Sequence, residues 1–128
     1  KKTITKSLIL TTLAFFGLSH NLTAQAVAGG TSHSLFLCSD GTVQACGANG
    51  NGQLGDGTND NDSVLVQVGI SDVTEIAASE SQSFFLKNDG TVWAAGWNNK
   101  GQLGDGTIID RNTPVQVSSL SGINWRKS

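Results

Sequence analysis

The sequence has few basic residues, and most of its length carries an acidic excess. It contains 8 Lys and Arg against 10 Asp and Glu, and three of the lysines, Lys1, Lys2 and Lys6, lie at the amino terminus. The rest of the chain has five basic residues against 10 acidic ones, a net charge near −5. Binding to nucleic acid depends on basic side chains that neutralise phosphates. Nucleic acid is therefore not an expected partner.

The chain also lacks an apolar run long enough to cross a bilayer as a helix, which takes about 20 residues. The apolar stretch at residues 8–18 follows the basic start and is followed by Ala24-Gln25-Ala26, a small-x-small pattern typical of a cleavage site. These features predict a signal peptide over residues 1–26, removed before Val27, and no membrane span after cleavage. The protein is expected to be secreted by a bacterium, or to lie at the cell surface or in the periplasm.

Proline occurs once, whereas glycine occurs 16 times. The apolar stretches after residue 26 are short and rich in Val, Leu and Phe, which is typical of strands joined by turns. The composition predicts an all-β fold.

Only two cysteines are present, Cys38 and Cys46, on either side of Asp40-Gly41. A two-residue loop at this turn would pair Cys38 with Val43 and Cys46 with Leu35, on opposite faces of a hairpin. A longer loop would give them a common face but leave them several pairs apart. A disulfide needs Cα atoms within about 7 Å, so both thiols are expected to be free.

An internal repeat dominates the sequence. Residues 27–75 align with 76–124 without gaps, at an offset of 49, with 22 identities. Gly-Gln-Leu-Gly-Asp-Gly-Thr at 52–58 returns at 101–107, and Asp-Gly-Thr-Val at 40–43 returns at 89–92. Such agreement indicates duplication of one supersecondary unit.

Each unit has the pattern of a short antiparallel sheet. Residues 35–37 and 84–86 are apolar at successive positions, which predicts strands covered on both faces. An Asp-Gly turn leads to a second strand at 43–46 or 92–95, and a long Gly/Asn/Asp loop precedes a strand at 64–68 or 113–117. The proline in the latter favours an edge strand. Sheets of this kind repeated at this spacing predict tandem four-stranded antiparallel blades of a β-propeller.

The residues resemble the regulator-of-chromosome-condensation repeat family. Residues 27–37, Val-Ala-Gly-Gly-Thr-Ser-His-Ser-Leu-Phe-Leu, fit one family signature, and the Gly-x-Asn-x-x-Gly-Gln-Leu-Gly-Asp-Gly loop at 47–57 and 96–106 fits the other. The second copy has Ser79 and Gln82 where the signature has Gly and His. The positions that carry the resemblance are Gly30, His33, Asp40, Gly41, Gly52, Gln53, Leu54, Gly55, Asp89, Gly90, Gly101, Gln102, Leu103 and Gly104.

The resemblance implies a seven-bladed propeller, a structural role for His33, and, by family analogy, nucleotide exchange on a small GTPase. The chain then comprises repeats at 27–75 and 76–124 and the start of a third at 125–128. Two blades of 49 residues form an incomplete ring and leave apolar faces open. Either the chain is a truncated piece or copies assemble, so further blades or self-association are needed to cover these faces.

Two motifs suggest ligands that their context does not support. Residues 50–55 match Gly-x-Gly-x-x-Gly, but no helical pattern follows, which argues against a dinucleotide site. Asp56, Thr58, Asp60 and Asp62 alternate as in a calcium loop, but Gln67 stands where that loop needs Glu. No Ser, Cys or carboxylate lies at a spacing from His33 that is typical of a catalytic site. Neither a cofactor, a metal nor an enzymatic activity is expected.

The variable loop of the second unit supplies the candidate contact with a partner. Tryptophan stands at 97 where the first copy has Ala48, and such a residue either packs on a neighbouring blade or contacts a partner. The function expected is an exported binding module for a protein or a cell-surface glycan; the alternatives are GTPase regulation and a purely structural surface role. The candidate residues are Trp97, Asn98, Asn99, Lys100, Asp110 and Arg111.

Overall fold

A computed structural model describes residues 8–13 and 19–118. These residues form strands and loops arranged as two antiparallel sheets, one in the order β1-β2-β3-β4-β5 and the other in the order β6-β7-β8-β9. The strands are β1 (Leu8–Leu13), β2 (Ser19–Gly29), β3 (His33–Cys38), β4 (Val43–Gly47), β5 (Asp62–Gln67), β6 (Val73–Ser79), β7 (Gln82–Lys87), β8 (Val92–Gly96) and β9 (Arg111–Gln116).

The offset of 49 residues maps one sheet onto the other. β3, β4 and β5 correspond to β7, β8 and β9 residue for residue, and the last part of β2 corresponds to β6. The prediction of tandem four-stranded antiparallel blades is confirmed, and the described residues do not close a ring. We call β2–β5 the first blade and β6–β9 the second blade; β1 pairs with β2 as a fifth strand at the edge of the first sheet.

The positions of the strands show where each repeat unit begins. β6 begins at Val73, whose equivalent in the first blade is Ala24, a fully buried residue of β2. The structural unit therefore starts three residues before the predicted boundaries at 27 and 76, because a duplicated sequence has no intrinsic starting point. The cleavage position predicted after Ala26 lies inside β2. Residues 125–128, assigned to a third repeat, lie outside the described residues.

The hairpin between β3 and β4 has a longer loop than the two-residue alternative. The Cys38 N–H donates to the carbonyl of Thr42 at 2.8 Å, and Leu37, not Cys38, lies opposite Val43. Gly41 adopts φ +85°, which this turn requires and glycine supplies without strain. Cys46 lies opposite Ser34. Because Ser34 is four residues before Cys38 in β3, the two cysteines are separated by about 13 Å along the strand. Both thiols are free, as expected.

The main hydrophobic core lies between the two blades. The first blade contributes the side chains of alternate residues in β3 and β4, and the second blade contributes Phe85 and Ala95, both fully buried. Trp93 packs on the same cluster. We call this contact the blade joint; its buried members from the first blade include Leu35, Leu37, Val43, Ala45 and Leu54.

The opposite face of each β3-type strand is only half-buried by the described residues. Phe36 of the first blade points away from the joint, as does Phe84 of the second blade, which packs on a smaller cluster with Ala94, Leu103 and Val117. The expectation that both faces are fully covered therefore holds only on the side where a neighbouring blade is described.

Candidate functional site

The long loop of the second blade is organised around one buried amide. Asn98 is fully buried, and its Nδ2 donates to Asp105 Oδ1 at 3.1 Å, to the carbonyl of Thr107 at 3.2 Å and to that of Ile109 at 2.9 Å. Its Oδ1 accepts from the Leu103 N–H at 2.9 Å. A single side chain thus replaces the backbone pairing that this irregular loop lacks, as buried polar groups require.

The first blade repeats this arrangement. Asn49 is fully buried, its Nδ2 contacts Asp56 Oδ1 at 3.2 Å and the carbonyl of Asp60 at 3.0 Å, and its Oδ1 accepts from the Leu54 N–H at 2.9 Å. The Asp56 carboxylate also accepts from the backbone and hydroxyl of Thr58. The alternating residues that suggested a calcium loop therefore serve the loop itself, and the described residues contain no cluster of metal-ligating side chains.

Asp105 of the second blade is held more tightly than its counterpart Asp56. Arg111 Nε forms a salt bridge with Asp105 Oδ2 at 2.7 Å. Burial acts to raise the pKa of Asp105, but hydrogen bonds from Thr107, Arg111 and Asn98 outweigh it, so the pKa lies well below its usual range. The carboxylate stays ionised and fixes the end of the loop.

His33 lies in the blade joint. Its Nε2 is 2.9 Å from the hydroxyl of Ser83 in the second blade, and this hydroxyl donates to the carbonyl of Gln53 at 2.6 Å. The Ser83 oxygen therefore accepts from His33 Nε2–H. Gly30 makes room for the ring, because a Cβ at that position would lie 2.3 Å from Cε1 of His33. Burial lowers the pKa of His33 below its ordinary value. The geometry supports the structural role that the resemblance implied.

The second blade satisfies the equivalent position within itself. Gln82 replaces His33 and Ser79 replaces Gly30; the Ser79 hydroxyl donates to Gln82 Oε1 at 2.8 Å. Gln82 Nε2 donates to the carbonyl of Trp97 at 3.4 Å. The two departures from the signature are therefore coupled, and they convert a bond between blades into bonds inside one blade.

The predicted partner-binding residues do not form one exposed patch. Asn98 is fully buried and therefore does not reach the surface, and its identity with Asn49 was the signal in the sequence that it belongs to the shared scaffold. Trp97 is half-buried, while Asn99 and Lys100 are exposed. The side chains of the last two candidates bond to other residues of the same chain. Asp110 accepts from the Asn98 N–H and from the Asn51 side chain, and Arg111 forms a salt bridge with Asp105.

The remaining signature residues shape turns. Asp40 and Asp89 accept hydrogen bonds from the threonine two residues on, and this lowers the pKa of both carboxyls. Gln53 Oε1 accepts from the Asn51 N–H at 2.9 Å, and Gln102 makes the same bond with Lys100. The Gly-x-Gly-x-x-Gly match is thus a β-propeller loop in which these groups bond to their own chain. The scaffold role of Asn49, Asn98 and Asp56 was not recognised from the sequence, although their recurrence at offset 49 marked it.

Two sheets related by a fixed repeat, packed face to face and joined by glycine-rich loops, define a β-propeller repeat protein. The family model of the regulator of chromosome condensation (RCC1) repeat matches residues 89–127, and a second model of the same repeat matches 24–53 and 73–102. The chain belongs to the RCC1 repeat family. The second model begins at 73, where β6 begins, and at 24, the equivalent position within β2. No curated protein matches the chain.

Solved structures of propeller proteins share this fold. Human WBSCR16 is 26% identical with a TM-score of 0.67, over 74% of this chain and 26% of that one. Yeast RCC1 (Prp20) bound to Kap60 is 23% identical with a TM-score of 0.68, over 83% and 26%. Prp20p from Saccharomyces cerevisiae is 18% identical with a TM-score of 0.66, over 79% and 27%. The chain spans about a quarter of each of these structures.

None of the described residues belongs to a helix with the length and apolar character needed to cross a membrane.

Proposed function

We propose that this chain is a protein-binding part of an RCC1-type propeller, and that residues specific to the second repeat contact the partner. The observation that supports this proposal is a difference in burial among the positions of the second loop. Asn98 and Leu103, which both repeats share, are buried and bonded within the loop, whereas Asn99 and Lys100, which differ between the repeats, are exposed. Surface loops on a rigid repeat scaffold are where such proteins place recognition.

Three positions carry this difference most clearly. Trp97, Asn99 and Lys100 occupy the places of Ala48, Gly50 and Asn51 in the first repeat. The backbone of Trp97 is fixed, since its N–H donates to the carbonyl of Ser81 at 3.0 Å, while its ring is half-buried. A tryptophan that keeps part of its ring exposed on a fixed backbone is a typical anchor at a protein interface.

The similar structures support a protein as the class of partner. Yeast RCC1 was solved in complex with Kap60, and Prp20p was characterised for its binding to Gsp1p and histones. A surface glycan remains the other ligand class in this proposal. Regulation of a small GTPase is the alternative function that family membership suggests, and a purely structural surface role is the other alternative. We further propose, from the leader pattern at 1–26, that the protein is exported.

The experiment uses a variant that gives the second repeat the residues of the first, Trp97→Ala, Asn99→Gly and Lys100→Asn. Wild type and variant are immobilised and exposed to the proteins and surface glycans of the source cell. A component retained by the wild type and lost by the variant is purified and titrated against both by calorimetry. The proposal expects affinity to fall about 30-fold or more for loss of an anchoring tryptophan. Equal binding of the purified component by both chains, or no retained component, would contradict it.

A further inference from the structure

Hydrogen bonds hold both peptide groups that flank Trp97. The Trp97 N–H donates to the carbonyl of Ser81 at 3.0 Å, which holds the peptide group before the tryptophan. In the peptide group after it, the Trp97 carbonyl accepts from Gln82 Nε2 at 3.4 Å. The N–H of that same group, which belongs to Asn98, donates to Asp110 Oδ1 at 2.7 Å. Because rotation about φ and ψ would turn these planar groups, the three bonds together fix the backbone of Trp97.

The first repeat makes the two N–H bonds in the same way. The Ala48 N–H donates to the carbonyl of Ser32 at 2.8 Å, and the Asn49 N–H donates to Asn61 Oδ1 at 2.7 Å. These two bonds belong to the scaffold that both loops share, since they form whether the residue at this position is alanine or tryptophan.

The bond to the carbonyl comes from a residue that differs between the repeats. His33, which takes the place of Gln82 in the first repeat, directs its Nε2 across the blade joint to Ser83 at 2.9 Å. Gln82 instead turns back into its own blade and reaches the carbonyl of Trp97. The exchange of histidine for glutamine therefore supplies a bond to the tryptophan in the repeat that carries it.

The hydroxyl of Ser79 orients the amide of Gln82. The Trp97 carbonyl can only accept a hydrogen bond, so the Nε2 end of the amide must face it. The Oε1 end then accepts from the Ser79 hydroxyl at 2.8 Å. Gln82 is 6% exposed, so water has little access to either end of the amide. Three residues that differ from the first repeat, Ser79, Gln82 and Trp97, are thus connected by two side-chain hydrogen bonds.

We propose that Gln82 is a positioning residue for Trp97. Oriented by Ser79, it holds the backbone of Trp97 so that the half-buried side chain meets a partner in one orientation. This inference rests on the proposed function, in which Trp97 is the anchor. Fixing an anchor before it binds lowers the entropy that association costs. Loss of the bond from Gln82 should therefore weaken partner binding about 2- to 10-fold, which is less than the effect of losing the tryptophan.

Two variants of the full chain test the role of this bond. Gln82→Glu keeps the shape of the side chain and an oxygen for Ser79, but its carboxylate has no donor for the Trp97 carbonyl. Because a buried carboxylate costs stability, Ser79→Ala is the second variant. Ser79 is exposed, and its loss leaves the amide of Gln82 free to turn. Circular dichroism and urea unfolding check that each variant is folded.

NMR relaxation of the backbone and indole N–H groups gives the readout, with the signals of Trp97 assigned from Trp97→Phe. We expect the order parameters of Trp97 and Asn98 to fall in both variants from about 0.85, typical of rigid backbone, towards about 0.6. The internal control is Trp93 of the same blade, whose indole N–H donates to Thr91 Oγ1 at 2.8 Å and should keep its order. A general loss of structure would loosen both tryptophans, whereas loss of positioning loosens Trp97 alone.

Two results would overturn the proposal about Gln82. One is a Trp97 that stays as ordered in both variants as in the wild type, or that loosens only together with Trp93. The other is an unchanged affinity of Gln82→Glu for the purified component that the wild type retains. Failure of the proposed function is a different result, namely equal binding of that component by the wild type and by the variant changed at 97, 99 and 100. The order parameters need no partner, so the two failures are distinguishable.

Discussion

Replacing Asn98 by alanine removes the side chain that ties the second loop together. The change leaves the buried Leu103 N–H without its acceptor and takes one donor from the carbonyls of Thr107 and Ile109. Each buried group left unsatisfied costs about 1–3 kcal/mol. With Leu103 N–H and one carbonyl stranded, we expect the free energy of unfolding to fall by about 3 kcal/mol, and Tm by roughly 10–20 °C.

Urea unfolding followed by tryptophan fluorescence measures this loss, at a concentration low enough to prevent association. The matched control is Asn99→Ala, because Asn99 is the exposed neighbour on the same loop. Its effect should stay within about 0.5 kcal/mol, as for most surface substitutions. Equal effects of Asn98→Ala and Asn99→Ala on stability would show that the buried amide does not organise the loop.

Three further outcomes are expected. Burial lowers the pKa of His33, so the unfolded chain takes up the proton at a higher pH than the folded chain does. The free energy of unfolding should therefore be at its full value above about pH 6.5 and should fall as pH drops through the folded pKa. A pH series of urea midpoints measures this loss, and His33→Gln should flatten it. Trp97→Ala should lower Tm only slightly if the half-buried side chain serves to contact a partner. A fall of about 3 kcal/mol in the free energy of unfolding, as for a core tryptophan, would instead show that Trp97 packs within the protein. Mass spectrometry of exported protein should find Val27 at the amino terminus; an intact leader would show that the predicted cleavage is wrong.

The repeat was readable from the sequence because two copies of the same residues must serve the same environment twice. The antiparallel strands and the Asp-Gly turns followed from this pattern, and the free thiols followed from the spacing of the two cysteines about one turn; the structure agrees. The hairpin register did not follow: the loop length depends on Gly41 at φ +85° and on the bond between Cys38 and Thr42, which alternation alone does not specify.

The candidate site was predicted less well than the fold. Asparagine is usually exposed, so Asn98 was grouped with its variable neighbours; its recurrence as Asn49 identified it as scaffold. The coupling of Gly30 with His33 and of Ser79 with Gln82 was visible only as two separate departures from a signature. Their pairing depends on side chains meeting in three dimensions, with the Ser79 hydroxyl 2.8 Å from Gln82.

The two blades form one packed joint, linked across it by His33 and Ser83. A double-mutant cycle of His33→Gln, Ser83→Ala and the combined variant measures that link directly, through the free energies of unfolding in urea. With the two side chains 2.9 Å apart and both buried, we predict a coupling energy of about 1 kcal/mol or more. Additive effects, with no coupling beyond experimental error, would contradict the joint as described.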